Sequence, residues 1–224
     1  MASYNKLVIF DCDGTLVDSQ HLIVRSMQQT FMEAGLPTIA DDTVRSIVGL
    51  SLQDAIAVLT PQESTTMHAA LTEDYKRIYY RLRVELASGP DPLYDGTREA
   101  LTALGEAGFL LGIATGNSIR GLERILKEHD LTDMFISLQT ADGHPSKPHP
   151  SMIQKAIAEA GSAPEYTVMV GDTSYDMMMS ARAGVAGLGV VWGYHSTDEL
   201  LKAGARHIVN HYDEIPDIIT GWIA

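Results

Sequence analysis

The sequence predicts an α/β protein: a mostly parallel sheet covered by helices on both faces and interrupted by an all-helical insertion. Three observations lead there. Five short apolar runs each lead into a polar or glycine-containing turn, as strands buried on both faces do. Helical patterns separate the later runs, and this alternation is what a parallel sheet requires. The stretch from about Asp18 to Pro92 breaks the alternation, carrying helical periodicity without a comparable strand-like run.

In chain order, Lys6–Phe10 is the first expected strand. In the insertion, Ile23, Met27, Phe31 and Ala34 recur at helical spacing, and Met67, Leu71, Tyr75, Ile78, Leu82 and Leu86 do so over about five turns. The turn-rich Ser88-Gly89-Pro90-Asp91-Pro92 closes it. A helix carrying Leu101, Leu104 and Ala107 follows a capping signal at Asp95 and stops at Gly108. Phe109–Thr115 is the second strand, and Asn117-Ser118 opens a helix with Ile119, Leu122, Ile125 and Leu126. Met134–Leu138 is expected as the third strand, then a helix with Ile153, Ala156, Ile157 and Ala160 ending at Gly161. Thr167–Gly171 and Gly187–Trp192 complete the set. The expected division is a discontinuous core of residues 1–17 and 93–224 with an inserted unit at 18–92.

Size and charge agree with that reading. At roughly 150 residues per domain, 224 residues suit one domain with a sizeable insertion. The net charge of −13 disfavours nucleic acid and anionic membranes, which need a basic footprint. A single cysteine, Cys12, excludes an intrachain disulfide framework and a cysteine-rich zinc site. No basic segment with an apolar stretch follows Met1, and no apolar run is long enough to span a bilayer, so a cytoplasmic protein is expected.

Four strand ends carry chemistry. Asp11-Cys12-Asp13-Gly14-Thr15 follows the first strand, and alternation puts Asp11 and Asp13 on one side with Cys12 opposite. Carboxylates so close repel unless a cation separates them or one keeps its proton; an ionised one can attack phosphorus and a protonated one can donate to a leaving oxygen. Thr115-Gly116-Asn117-Ser118 offers a hydroxyl and free backbone N–H groups at a helix start, a seat for phosphate. Lys147 lies in a loop stiffened by Pro145, Pro148 and Pro150. Asp172 and Asp176 follow the fourth run, with Asp172 read as a cap of the next helix, and both are hard oxygen donors suited to Mg²⁺. Each pattern alone has a plainer explanation, as an Asp-Gly turn, a helix cap, an exposed lysine or a helix-dipole aspartate. Their convergence on one sheet edge favours chemistry.

In this order the motifs resemble the haloacid dehalogenase-like superfamily, most closely its phosphoglycolate phosphatase-like branch over Leu93–Ser118 and Gly184–His195. The resemblance implies a Rossmann-like core with a helical cap at 18–92. It implies Asp11 as nucleophile and Asp13 as general acid, then base. Thr115 and Lys147 would hold the transferring phosphoryl, helped by backbone at Gly116 and Asn117. Mg²⁺ would be bound by Asp11, the Asp13 carbonyl, Asp172 and Asp176. The Val48–Leu52 loop, including Gly49, is the cap segment expected to enter the site. The implied activity is hydrolysis of a small organic phosphomonoester, 2-phosphoglycolate being one candidate, through an aspartyl-phosphate. Asp13 argues against the dehalogenases, which lack it. A lysine-free Val48–Gln53 stretch argues against phosphonoacetaldehyde hydrolases. A sugar-phosphate mutase of the β-phosphoglucomutase type, or a phosphate-ester-binding protein without turnover, remain the alternatives. Arg45, Lys76, Arg77, Arg81 and Arg83 are candidates to meet a substrate carboxylate, although a solvated helix face explains most of them better.

Overall fold

Strand β1 (Lys6–Phe10) lies inside a six-stranded parallel sheet. The other strands are β2 (Phe109–Thr115), β3 (Ser137–Thr140), β4 (Thr167–Gly171), β5 (Ala186–Val190) and β6 (His207–Val209), in the spatial order β3-β2-β1-β4-β5-β6. The computed structural model describes residues 4–86 and 89–223. Strand order reverses between β1 and β4, and the crevice at their carboxyl ends is where open α/β sheets bind ligands.

The alternation of β1 divides the core. Val8, Phe10 and Cys12 face one apolar cluster with α5 (Thr97–Glu106), α6 (Ile119–Glu128) and α10 (Ile215–Trp222). Leu7 and Ile9 face the other, packed by α7 (Ser151–Ala160) and α8 (Ser174–Ala183). Four consecutive fully buried side chains, each worth ~1.5–3 kcal/mol, hold the register. A slip of one residue would exchange Asp11 with Cys12 and destroy the strand end.

Between β1 and α5 the chain forms α1 (Gln20–Glu33), α2 (Asp41–Arg45), α3 (Leu52–Leu59) and α4 (Thr65–Glu85), and no strand among the described residues. Val24, Met27, Phe31, Val44, Ile56 and Leu71 make their own apolar cluster, separate from the two beside the sheet. Of the expected closing turn, Ser88 lies outside the described residues. The segment leaves and rejoins the core side by side: Asp18 N–H donates to Pro92 O at 2.9 Å, and Val17 bridges Leu93.

Several expectations need correction. The third strand is Ser137–Thr140, not Met134–Leu138. Thr132–Met134 is a 3₁₀ turn, and Phe135 enters the core from a connecting segment. The true strand is polar because it is a sheet edge, where Ser137 and Gln139 both donate to Glu159. The fifth run ends at Val190; Trp192 lies beyond it, its ring tilted by 33° against Tyr212 with centroids 4.6 Å apart. Strand β6 and the short helices α2, α3 and α9 (Thr197–Lys202) were too brief to stand out in the sequence. Helix α5 starts from Gly96, whose φ of +83° suits glycine, without a side-chain cap from Asp95.

Candidate active site

Beyond the end of β1, the Asp11 N–H donates to Val170 O at 2.9 Å, extending the β1–β4 pairing by one residue. This fixes Asp11, which is buried, at the switch point. Its Oδ1 accepts from Cys12 N–H at 2.7 Å and lies 2.9 Å from Lys147 Nζ. Its Oδ2 is buried with no hydrogen-bond partner among the described residues. Burial raises the Asp11 pKa well above the usual carboxylate range, and Asp176 and Asp172 add to the rise against the pull of Lys147.

Lys147 is not the exposed loop lysine that composition alone would suggest. Its side chain is fully buried and bridges Asp11 to Asp176, whose Oδ1 lies 2.7 Å away. Burial opposes its charge, but the two aspartates win and keep the ammonium protonated.

Asp172 does not cap α8. Thr173 does, in a capping box: its Oγ1 accepts from Asp176 N–H at 3.4 Å and its own N–H donates to Asp176 Oδ2 at 3.1 Å. Asp172 instead accepts from Thr15 Oγ1 at 2.7 Å and from Tyr194 N–H at 2.9 Å. Burial, with help from Asp176, lifts its pKa to about 7. One carboxylate oxygen from each of Asp11, Asp172 and Asp176 lies within 4.8 Å of the others. Three buried oxygen donors, one holding an unpartnered atom, fit a hard divalent cation, because a buried carboxylate without a partner is costly. This trio could hold a metal.

The Asp13 carboxylate faces elsewhere. Oδ1 accepts from Ser19 Oγ at 2.6 Å and Oδ2 from Asn117 Nδ2 at 3.0 Å. Burial raises its pKa, and these two hydrogen bonds only moderate the rise. Asp13 therefore keeps a proton more readily than an exposed aspartate. Thr115 is buried at the end of β2, where its Oγ1 accepts from Asn117 N–H at 3.2 Å, while Ser118 caps α6. Asp11, Asp13, Gly49 and Thr115–Asn117 line one cavity of about 350 Å³.

The helical segment reaches this cavity through its Val48–Leu52 loop. Gly49, with φ +100°, packs against Thr173 on one side and Gly116 on the other. A Cβ on Gly116 would lie 2.6 Å from Gly49 O and overlap Leu50 O. Further anchors hold the loop: Ser51 N–H donates to Ser146 Oγ at 2.8 Å, and Tyr175 OH to Ser46 O at 3.0 Å. His195, buried, sits 3.3 Å from the same carbonyl through Nε2. Its Nδ1 lies 3.1 Å from the Ser174 N–H, which only a bare nitrogen can accept, so Nε2 carries the proton and donates to Ser46 O. The basic cluster divides as its exposed setting implies. Lys76, Arg77 and Arg81 pair with Glu73, Asp74 and Glu33. Arg83 instead ties the segment to Asp91 and Glu128.

The family model for haloacid dehalogenase-like hydrolases matches residues 8–190. The chain belongs to this family. Among curated relatives, a probable phosphatase, IndB, of Dickeya dadantii is 34% identical over 213 residues, covering 93% of this chain and 91% of its own. A phosphoglycolate phosphatase of Vibrio vulnificus is 25% identical, with 96% of each chain covered. A pyrophosphatase, PpaX, of Bacillus pumilus is 30% identical, with 87% of each covered. The crystal structure of a predicted phosphatase from Clostridium acetobutylicum superposes with a TM-score of 0.84 at 26% identity, covering 98% of this chain and all of that one.

From sequence alone, the side chains of Thr15, Tyr194 and Arg124 carry no assigned role. Thr15 and Tyr194 grip Asp172, and the Thr15 carbonyl is itself held by Trp192 Nε1 and Tyr212 OH. Arg124, on α6, lines the cavity. Thr15 sits inside the first motif and was visible there; the other two come from distant segments with no local signal. No described helix is long and apolar enough to cross a membrane.

Proposed function

We propose that this hydrolase is a Mg²⁺-dependent phosphatase of small organic phosphomonoesters, working through an aspartyl-phosphate on Asp11. The observation that carries the reading is the buried Lys147 bridge from Asp11 to Asp176 beside the unpartnered Asp11 Oδ2. A structural ion pair has no use for a buried carboxylate oxygen left without a donor.

In this reading a carboxylate oxygen of Asp11 attacks phosphorus as the ester P–O bond breaks, and Asp13 gives its proton to the departing alkoxide. The raised proton affinity of Asp13 suits it to the task. Asp13 then removes a proton from water, which attacks phosphorus and releases inorganic phosphate with the Asp11 carboxylate restored. Lys147 holds the phosphoryl oxygens as a fixed positive charge, and Thr115 with the Gly116 and Asn117 backbone receives them on the other side. Asp11, Asp172, Asp176 and the Asp13 carbonyl would hold Mg²⁺, which when bound offsets the negative charge that gathers on the phosphoryl group. Residues 18–92 act as a cap on the core formed by 1–17 and 93–224, excluding water through the Gly49 loop. The single thiol, Cys12, is buried and unpaired, which suits the reducing cytoplasm.

The deciding assay follows phosphate release and isomerisation from a panel of phosphomonoesters, 2-phosphoglycolate among them, with Mg²⁺ and with chelator. Metal-dependent phosphate release is expected. Isomerisation outrunning release would make the protein a mutase, and binding without turnover would make it a recognition module.

Gly116→Ala tests the cap contact. Its Cβ displaces the Gly49–Leu50 backbone, so kcat/KM is expected to fall about 10²-fold, the size of a ~1 Å misplacement, with a drop in thermal stability of roughly 1–3 kcal/mol from the overpacking. Unchanged kcat/KM would remove the loop from the working site.

A further inference from the structure

The walls of the cavity beyond the phosphoryl site carry information about the leaving group. Tyr75 and Tyr79, one turn apart on α4, stack with centroids 6.0 Å apart, and Tyr80 meets Tyr79 edge-on at 6.5 Å. Ile23, Met27 and Leu50 supply further apolar wall. Arg120 of α6 lies over the Tyr80 ring, 4.7 Å from its centroid. Asp13 lines the same cavity as Tyr75 and Tyr79. The aromatic wall therefore adjoins the group assigned to protonate the departing alcohol.

Two cations also line the cavity, and both are already engaged. Lys76 Nζ lies 2.7 Å from Glu73. Arg124 Nη1 lies 2.7 Å from Glu128, while its Nη2 lies 3.8 Å from Asp91 and donates to the Tyr79 hydroxyl at 3.4 Å. Asp142 adds negative charge to the lining. A substrate carboxylate would meet no cation lacking an acidic partner among the lining residues described. Size points the same way. At roughly 30 Å³ per water, 350 Å³ would hold about a dozen waters, so a two-carbon acid would leave most of the apolar wall wet.

Resting on the phosphatase reading and deepening it, we propose that the preferred substrate is a phosphomonoester whose leaving alcohol carries a planar aromatic or heteroaromatic ring and no carboxylate. Such a ring finds offset or edge-on partners in Tyr75 and Tyr79 and displaces poorly held water. The alcohol oxygen would face Asp13 and the ring would lie along α4. The glycolate ester, for all its place among the relatives, is then a poor fit.

The test compares 2-phenylethyl phosphate and uridine 5′-monophosphate with ethyl phosphate and 2-phosphoglycolate. The phenylethyl and ethyl esters have leaving alcohols of similar acidity, so their ratio reports contact rather than reactivity. At least one ring ester is expected to exceed both ring-free esters at least tenfold in kcat/KM. Tyr79→Ala and Tyr75→Ala are expected to shrink that ratio severalfold, whereas general damage to the fold lowers all esters together. A best substrate of 2-phosphoglycolate, a phenylethyl-to-ethyl ratio near one, or a ratio untouched by both substitutions would overturn the proposal. Calorimetric titration of the same esters onto Asp11→Asn protein with Mg²⁺ separates the two readings. Preferential binding of the ring esters without turnover by the wild-type protein would overturn the phosphatase and leave the pocket assignment standing. Turnover without ring preference would do the reverse.

Discussion

Asp11→Asn is expected to abolish phosphate release, by on the order of 10⁶-fold in kcat, while the protein stays folded. Losses of that order follow removal of a nucleophile whose partners act only through it. The neighbouring Asp13 cannot make up the loss, since positioned acid–base catalysis supplies only about 10²–10⁴. The fold should survive because the amide oxygen still accepts from Cys12 N–H and Lys147. One buried negative charge is also removed from a group whose ionisation burial already opposes. Phosphate release measured beside circular dichroism checks both halves. Residual turnover within a hundredfold of wild type, free of contaminating enzyme, would assign the nucleophile elsewhere.

The second large effect concerns the metal-free protein. Asp172 has a folded pKa of about 7 against an ordinary value of 3.8, so the native state holds its proton more tightly than the unfolded chain. A raised carboxylate pKa contributes stability below its unfolded value and loses it as pH rises toward the folded one. Chelator-treated protein should therefore lose stability between about pH 4 and 7, on the order of 4 kcal/mol at the upper limit for this group. Asp172→Asn should flatten that profile and raise the melting temperature of the metal-free protein at pH 8 by roughly 10 °C. It should also lose the stabilisation that Mg²⁺ gives the wild type, about 2.7 kcal/mol at a hundred times Kd. Thermal melts across pH, with Mg²⁺ and with chelator, read all three. Equal Mg²⁺ stabilisation of both proteins would remove Asp172 from the metal set.

How much of this was legible depended on where each residue draws its partners. Strands β1, β2 and β4 could be read because apolar burial on both faces leaves continuous runs. Strand β3 could not, because its Ser137 and Gln139 are satisfied by Glu159 of a helix 22 and 20 residues away. The acids and Lys147 stood out because residue type and strand-end position coincide. What escaped was their support. Tyr194 reaches Asp172 from beyond β5, and nothing near Tyr194 in sequence announces it. Tyr75 reads as part of an apolar helix stripe that does not include Tyr79, and only tertiary packing brings both to the wall of the cavity. Periodicity reports which residues share a face, whereas the partner of that face depends on tertiary packing.

The paired crossings at Asp18–Pro92 and Val17–Leu93 bear on how freely the inserted segment can vary. Chain ends that are already hydrogen-bonded neighbours can be bridged by a connection of almost any length, since each doubling of a flexible loop costs only about 0.6 kcal/mol. The junction therefore makes little demand on what is spliced between its two sides. Under the proposed function, the intervening helices are open to lengthening, shortening or replacement, and with them the choice of alcohol, without disturbing the strand ends on the other side of the junction.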